Sequence, residues 1–114
     1  MKPLTPPVFH ILLALSGGER HGYAIMQEVA RETGDRFIMG PGTLYGTLKR
    51  MLAAGLVEES GERTDPKIND ERRRYYRITP AGRRVVEEEA RRLESLVRLA
   101  RAKSLLKHPN LEES

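Results

Sequence analysis

Apolar positions along the chain follow two periods, and glycines and prolines punctuate them. The run VFHILLAL at residues 8–15 follows Thr5-Pro6-Pro7. A hydroxyl able to cap, then proline in the first turn where a missing N–H costs nothing, predicts a helix start. Gly17-Gly18 predicts its end. Val8, Phe9, Ile11, Leu12, Leu13 and Leu15 cover more than one face, as in a helix central to a core. A second helix is predicted from about His21 to Glu32, with Ile25, Met26 and Val29 inward and Gly34 as its stop.

The third helix begins with Gly40 as N-cap and Pro41 at its first position, and closes at Gly55. Leu44, Leu48, Met51 and Leu52 make one apolar face; Thr43, Gly46, Arg50 and Ala53 lie opposite, flanked by Thr47 and Lys49. A glycine in mid-helix costs roughly 1 kcal/mol against alanine. Close approach of another surface would account for Gly46.

Beyond Gly55 the period changes. Residues 56–60 (LVEES) and 72–79 (RRRYYRIT) read as two strands, joined by a polar turn region at 61–71. Alternation puts Tyr76 and Ile78 on one face and Arg73, Tyr75 and Arg77 on the other. Thr79-Pro80 opens a last helix, predicted to run to about Lys107, a length of about 40 Å. Within it Val86, Ala90, Leu93, Val97 and Ala100 step by the seam spacing of a helix packed along another helix, and Leu96, Leu99 and Leu106 widen the stripe. That length exceeds what folding back on its own domain would use, so the seam predicts pairing with a second subunit. Its many glutamates argue against the alternative of a membrane-surface helix.

Three helices followed by a hairpin is the order of a winged helix-turn-helix, with the third helix in the major groove and the hairpin beside it. The expected fold is therefore mainly α with a small β-hairpin. Residues 1–79 form the winged-helix domain, 80–107 the dimerisation helix and 108–114 a frayed tail. A lone hairpin is too small to be stable in water, so Leu56, Val57, Tyr76 and Ile78 must hold it to the helices.

Composition narrows the chemistry. At 114 residues, with 39% hydrophobic and 32% charged positions, the chain suits one domain with a small core that a second copy helps to complete. The absence of cysteine removes thiolate chemistry, disulfides and cysteine zinc sites. Three scattered histidines form no metal site. PGTLYGT lacks the Gly-Lys-Ser/Thr ending of a P-loop, and no nucleophile–base pair is evident, so neither an enzyme nor a cofactor is expected. The N-terminal apolar run is too short to span a bilayer and a poor secretory signal, which predicts a cytoplasmic protein without membrane contact. The formal net charge of +4 permits nucleic-acid binding, and its densest spot is Arg72-Arg73-Arg74.

The blocks HGYAI (21–25), PGTLYGTLKRMLAAGLVEE (41–59) and RRYYRITPAGR (73–83) together resemble the PadR family of transcriptional regulators over nearly the whole chain. The resemblance implies a homodimer that binds operator DNA, usually as a repressor, and often releases it on binding a small-molecule effector. It also implies that PGTLYGTLKRM is the recognition helix, that Tyr23 sits near the phosphate backbone, that 58–77 is the wing, and that a single C-terminal helix packs on the partner subunit. Members that hold flat aromatic drugs between indoles use Trp; this chain has none, so that pocket is not carried over.

The candidate DNA contacts are Tyr23, Thr43, Tyr45, Gly46, Thr47, Lys49, Arg50, Lys67, Arg72, Arg73, Arg74 and Arg77. Arg50 is suited to a guanine edge, while Thr43, Thr47 and Lys49 suit phosphates or a thymine methyl. Tyr45 fits either a core position or ring packing with its hydroxyl on a phosphate, and Tyr23 fits either a half-buried core position or a backbone contact. His21 is read as a helix-start residue and His10 as a partly buried histidine. Any effector is expected between the last helix and the first helices, with Phe9 and Leu93 as candidates. The competing class is a winged-helix module for protein–protein contact with no DNA role.

Overall fold

The computed structural model describes residues 3–67 and 69–107. Helix α1 spans Pro6–Leu15 and buries Ile11, Leu12, Ala14 and Leu15, while Leu13 stays 37% exposed. Thr5 precedes it in an extended conformation, but its hydroxyl makes no cap bond; only its carbonyl enters the helix, accepting from the Phe9 N–H at 3.0 Å. Gly18, at φ 142°, turns the chain away in a conformation that a side chain would resist.

A two-residue strand that the hydrophobic pattern does not announce comes next, β1 at Arg20–His21. The Arg20 guanidinium ties it to the first two helices, donating to the Ala14 carbonyl at 3.1 Å and pairing with Glu28 at 3.4 Å. Helix α2, Gly22–Glu32, follows at once, with Ile25 and Val29 fully buried. Thr33 ends it: its hydroxyl donates to the Val29 carbonyl at 2.9 Å and accepts from the Phe37 N–H at 3.1 Å, fixing the path to the next helix. On that path Phe37 stacks on His10 of α1, ring centres 4.8 Å apart.

Helix α3 runs from Pro41 to Ala53, capped by Gly40 and followed by Gly55 at φ 74°. Leu44, Leu48 and Met51 are buried against α1 and α2, with Leu52 partly so. Strands β2, Val57–Asp65, and β3, Asn69–Ile78, form the hairpin. The sheet is three-stranded and antiparallel in the order β1-β3-β2, rather than the two-stranded hairpin expected. Both strands extend farther into the polar segment than its lack of apolar alternation suggested. Cross-strand register holds from Val57↔Ile78 out to Asp65↔Asn69, with irregularities at Glu59/Gly61 and Thr64/Asp65.

Helix α4 spans Pro80–Ala102 and so stops short of the expected Lys107. Ser104 adopts φ 64° and the Leu105 N–H returns to the Ala100 carbonyl at 2.9 Å, closing the helix. At its start the Thr79 hydroxyl accepts from the Gly82 N–H at 3.0 Å and donates to the Gly55 carbonyl at 2.6 Å, so one residue caps α4 and holds the α3–β2 turn. Gly82 is sterically required, because a Cβ there would lie 2.1 Å from the Leu56 carbonyl oxygen. The expected tail at 108–114 lies outside the described residues.

The core is contributed by every helix and the base of the sheet: Ile11, Leu12, Leu15, Ile25, Leu44, Leu48, Val57, Tyr76 and Val86 among others. Val86 is only 7% exposed, so it belongs to this core and not to the exposed seam expected of it. The next turn adds Glu89, 2% exposed, whose carboxylate accepts from the Leu4 N–H at 3.2 Å and from both Arg92 donors at 2.7 and 2.8 Å. Arg92 foremost, then the Leu4 N–H, hold the Glu89 carboxyl below its ordinary range against the opposing effect of burial. Past that turn Leu93, Leu96, Val97 and Leu99 are 36–52% exposed.

Candidate nucleic-acid interface

The buried stripe of α3 fixes which side chains face out. Thr43, Lys49 and Arg50 are exposed and Gly46 lies among them, half-buried. Thr47 does not join them. It is 1% exposed, and its hydroxyl accepts from Arg50 Nη2 at 3.2 Å. Lying three residues after Leu44 and four before Met51, it falls on the buried stripe, where its bearing on any ligand is to hold Arg50. Among the described residues neither Lys49 nor Arg50 enters an ion pair.

Gly46 has no steric reason within the chain: a Cβ there would meet only Arg50 Nη1, at 3.8 Å. Gly22 presents the opposite case. A Cβ on it would lie 2.3 Å from the Tyr45 hydroxyl and 2.7 Å from its ring, so Tyr45 lies directly across the first turn of α2. The tyrosine remains 48% exposed, so it does not occupy a core position. Tyr23, 41% exposed, stands beside Gly22, with the Arg73 guanidinium 5.6 Å above its ring. The wing therefore touches the start of α2 as well as α3.

Between α3 and the wing lies a cleft of 260 Å³ with Leu48 and Leu52 on its apolar side, Tyr45 and Tyr76 as aromatic walls, and Lys49, Glu59 and Arg74 as charged groups. Tyr76 is 5% exposed, and burial pushes its hydroxyl pKa up. The wing arginines are engaged with acids: Arg77 with Glu58 at 2.7 Å, Arg74 with Glu59 at 3.4 Å, Arg72 with Glu62 at 3.7 Å and Arg73 with Glu71 at 3.9 Å. The sequence marks these arginines as cationic, but three pairs across the hairpin and one along β3 leave the wing nearly neutral. Such exposed pairs are worth little, about 0–1 kcal/mol, so they exchange readily for another anion. Lys67 is exposed at the tip.

Tyr75 is not a free wing residue. Its ring meets the edge of His21 at 5.2 Å and carries the Arg63 guanidinium 3.7 Å above it. His21 starts the helix, as expected, by accepting from the Ala24 N–H through Nδ1 at 3.1 Å, and it also reaches Asp65 Oδ2 from Nε2 at 2.9 Å. The His21 hydrogen bond first, then the Lys67 N–H, hold the Asp65 carboxyl below its ordinary range. Local patterns miss this pair, 44 positions apart; only the Asp-Pro-Lys turn signal at 65–67 hints at an organised tip. Of the seam residues, Ala90, Leu93 and Val97 are exposed and Ala100 half-exposed, and Phe9 lies half-buried on α1.

Residues 11–88 match the transcriptional regulator PadR-like family. This chain belongs to that family. The transcriptional regulator Rv3488 of Mycobacterium tuberculosis is 40% identical over 89 residues, which is 78% of this chain and 77% of that protein. Two solved structures share the fold. Bacillus subtilis PadR in complex with operator DNA has a TM-score of 0.60 at 21% identity over 71% of this chain and 44% of that one. BpsR of Bordetella bronchiseptica, whose DNA binding is regulated by 6-hydroxynicotinic acid, has a TM-score of 0.61 at 23% identity over 83% of this chain and 58% of that one. The winged-helix reading of the sequence stands. Among the described residues there is neither a metal-binding group of acids and histidines nor a helix long and apolar enough to cross a membrane.

Proposed function

We propose that this PadR-like regulator is a homodimeric repressor that binds a pseudo-palindromic operator, with α3 in the major groove and the wing on the flanking backbone. The observation that carries the reading is the outer face of α3. Two cations without ion-pair partners, Lys49 and Arg50, flank a glycine that the subunit itself does not require, and the face adjoins the wing through a shared cleft. Arg50, steadied by buried Thr47, is suited to a guanine edge, and Lys49 and Thr43 to phosphates. Lys67, Arg72, Arg73, Arg74 and Arg77 supply backbone contacts once phosphates displace their acidic partners, with Tyr23 beside them. Dimerisation uses Leu93 and Val97, with Ala90 and Ala100, the part of the seam left outside the core.

Release by a small-molecule effector completes the reading. The regulation of BpsR by 6-hydroxynicotinic acid supports it, and Phe9 and Leu93 mark the expected site between α1 and α4. The test is selection of bound duplexes from a random pool with the purified protein. An enriched inverted repeat with half-sites about one helical turn, roughly 34 Å, apart is the expected result. Enrichment of single half-sites sinks the dimer model. The neutralised wing favours one other reading, a winged-helix module for protein contact. That reading requires duplex binding to be absent or flat with salt, whereas DNA binding requires steep loss with salt that Arg50→Ala reduces.

A further inference from the structure

The distal wing has little of its own to hold it in place. From Gly61 to Lys67 and from Glu71 to Arg74, no described residue buries an apolar side chain. A two-stranded ribbon of this kind is marginal in water and would pivot on its base at Tyr76 and Val57. One contact reaches from the body of the domain to its far end. His21, 1% exposed, accepts from the Ala24 N–H through Nδ1, which leaves the proton on Nε2 to be donated to Asp65 Oδ2 at 2.9 Å. The other oxygen of Asp65 accepts from the Lys67 N–H at 3.1 Å. One imidazole thus caps α2 and one carboxylate shapes the tip turn, and the bond between them joins the two.

We propose that His21 and Asp65 form a latch that sets the angle of the wing on α2, making both positioning residues for DNA binding. The proposal rests on the DNA-binding reading above. The latch acts on Lys67 through the tip turn, and on Arg72 and Arg73 through the β2–β3 ladder. Two contacts along the same line support the alignment: His21 pairs in the sheet with Tyr75, and the neighbouring Glu19 pairs with Arg63, whose guanidinium lies over the Tyr75 ring. A hydrogen bond anchored on a buried imidazole gives a hinge one preferred angle where fully exposed ion pairs do not.

His21→Asn separates the two tasks of the histidine, because asparagine is a good N-cap but too short to reach Asp65. Asp65→Ala removes the latch from the exposed side and leaves the cap untouched. The measurement is binding of the full-length chain to a mixed-sequence duplex across a salt series, with thermal melting alongside. Each variant is expected to weaken binding about three- to tenfold and to flatten the log–log salt slope by about 0.9 for each wing phosphate lost. The double variant should be no weaker than either single one, because both remove one interaction. Amides of the distal wing should exchange faster with solvent hydrogen while melting stays within a few degrees.

Wild-type affinity and slope in Asp65→Ala would overturn the proposal, as would full additivity in the double variant. Faster wing exchange without any change in binding would leave a structural contact with no positioning role. Absence of salt-dependent binding by the wild-type chain would instead overturn the DNA reading, and unchanged exchange in the variants would still show separately that no latch exists.

Discussion

At residue 46, α3 carries a glycine that its own subunit has room to replace, since a Cβ would meet only Arg50 Nη1 at 3.8 Å. Alanine should therefore gain about 1 kcal/mol of helix stability, raising the melting temperature by about 4 °C or more. The same methyl group would stand between the helix and a groove floor, so Gly46→Ala is expected to weaken duplex binding severalfold while stabilising the fold. A stabilised variant with full affinity would remove the close-approach account. Gly22→Ala tests the neighbouring contact by a different route. Its new methyl group collides with the Tyr45 hydroxyl, but that ring is 48% exposed and free to swing outward. The expected result is reduced affinity at nearly unchanged melting temperature; a large loss of stability would mean that the ring is a structural support.

At the scale of elements, α3 presents its cations without ion-pair partners among the described residues, and the arginines of the hairpin are paired with acids, three of them across the strands. Removing one partner should expose this difference. Glu59→Gln frees Arg74 and should strengthen binding to mixed-sequence duplex while steepening its salt slope by about 0.9, whereas Lys49→Ala should flatten the slope by a similar amount. No change from Glu59→Gln would mean that Arg74 never meets a phosphate. The contrast also explains what the sequence could disclose. The helices declare themselves because Leu44, Leu48 and Met51, or Ile25 and Val29, repeat at helical spacing between glycine and proline stops. The outer half of the wing does not, because Glu62, Arg63, Thr64 and Asp65 stand there in place of apolar alternation, and a polar segment of this kind reads as a turn. Strand β1 has only Arg20 and His21 and so no period at all. Polarity points Thr47 outward, although its spacing from Leu44 and Met51 puts it inward. The collision between Gly22 and Tyr45 and the bond from His21 to Asp65 depend on elements far apart in the chain, which no local window joins.

At the scale of the whole molecule, α4 divides at Glu89. Up to that residue it belongs to the domain, and the Glu89 carboxylate, held by Arg92 of the same helix, clamps the N-terminal segment by accepting from the Leu4 N–H. Because this carboxyl is held below its ordinary range in the fold, chiefly by Arg92, its contribution is fully present above the ordinary carboxylate range and is lost as pH falls through the depressed folded value. Glu89→Gln should lower the melting temperature at neutral pH and reduce its further fall in acid; an unchanged acid profile would exclude the clamp as a source. Beyond Glu89, Leu93, Leu96, Val97 and Leu99 remain 36–52% exposed, and this stripe on a long helix is the surface on which the proposed dimer rests. Leu93→Glu with Val97→Glu is expected to give a folded monomer by light scattering, with melting of the winged-helix domain retained. Its affinity for an inverted repeat should drop to that for a single half-site. Val86→Ala should behave differently, costing about 1–2 kcal/mol of fold stability while leaving subunit association in place, because that side chain lies in the core. If the double glutamate variant remained dimeric, the surface joining the subunits would have to lie elsewhere than the distal half of α4. The spacing of the two recognition helices would then no longer be set by this helix.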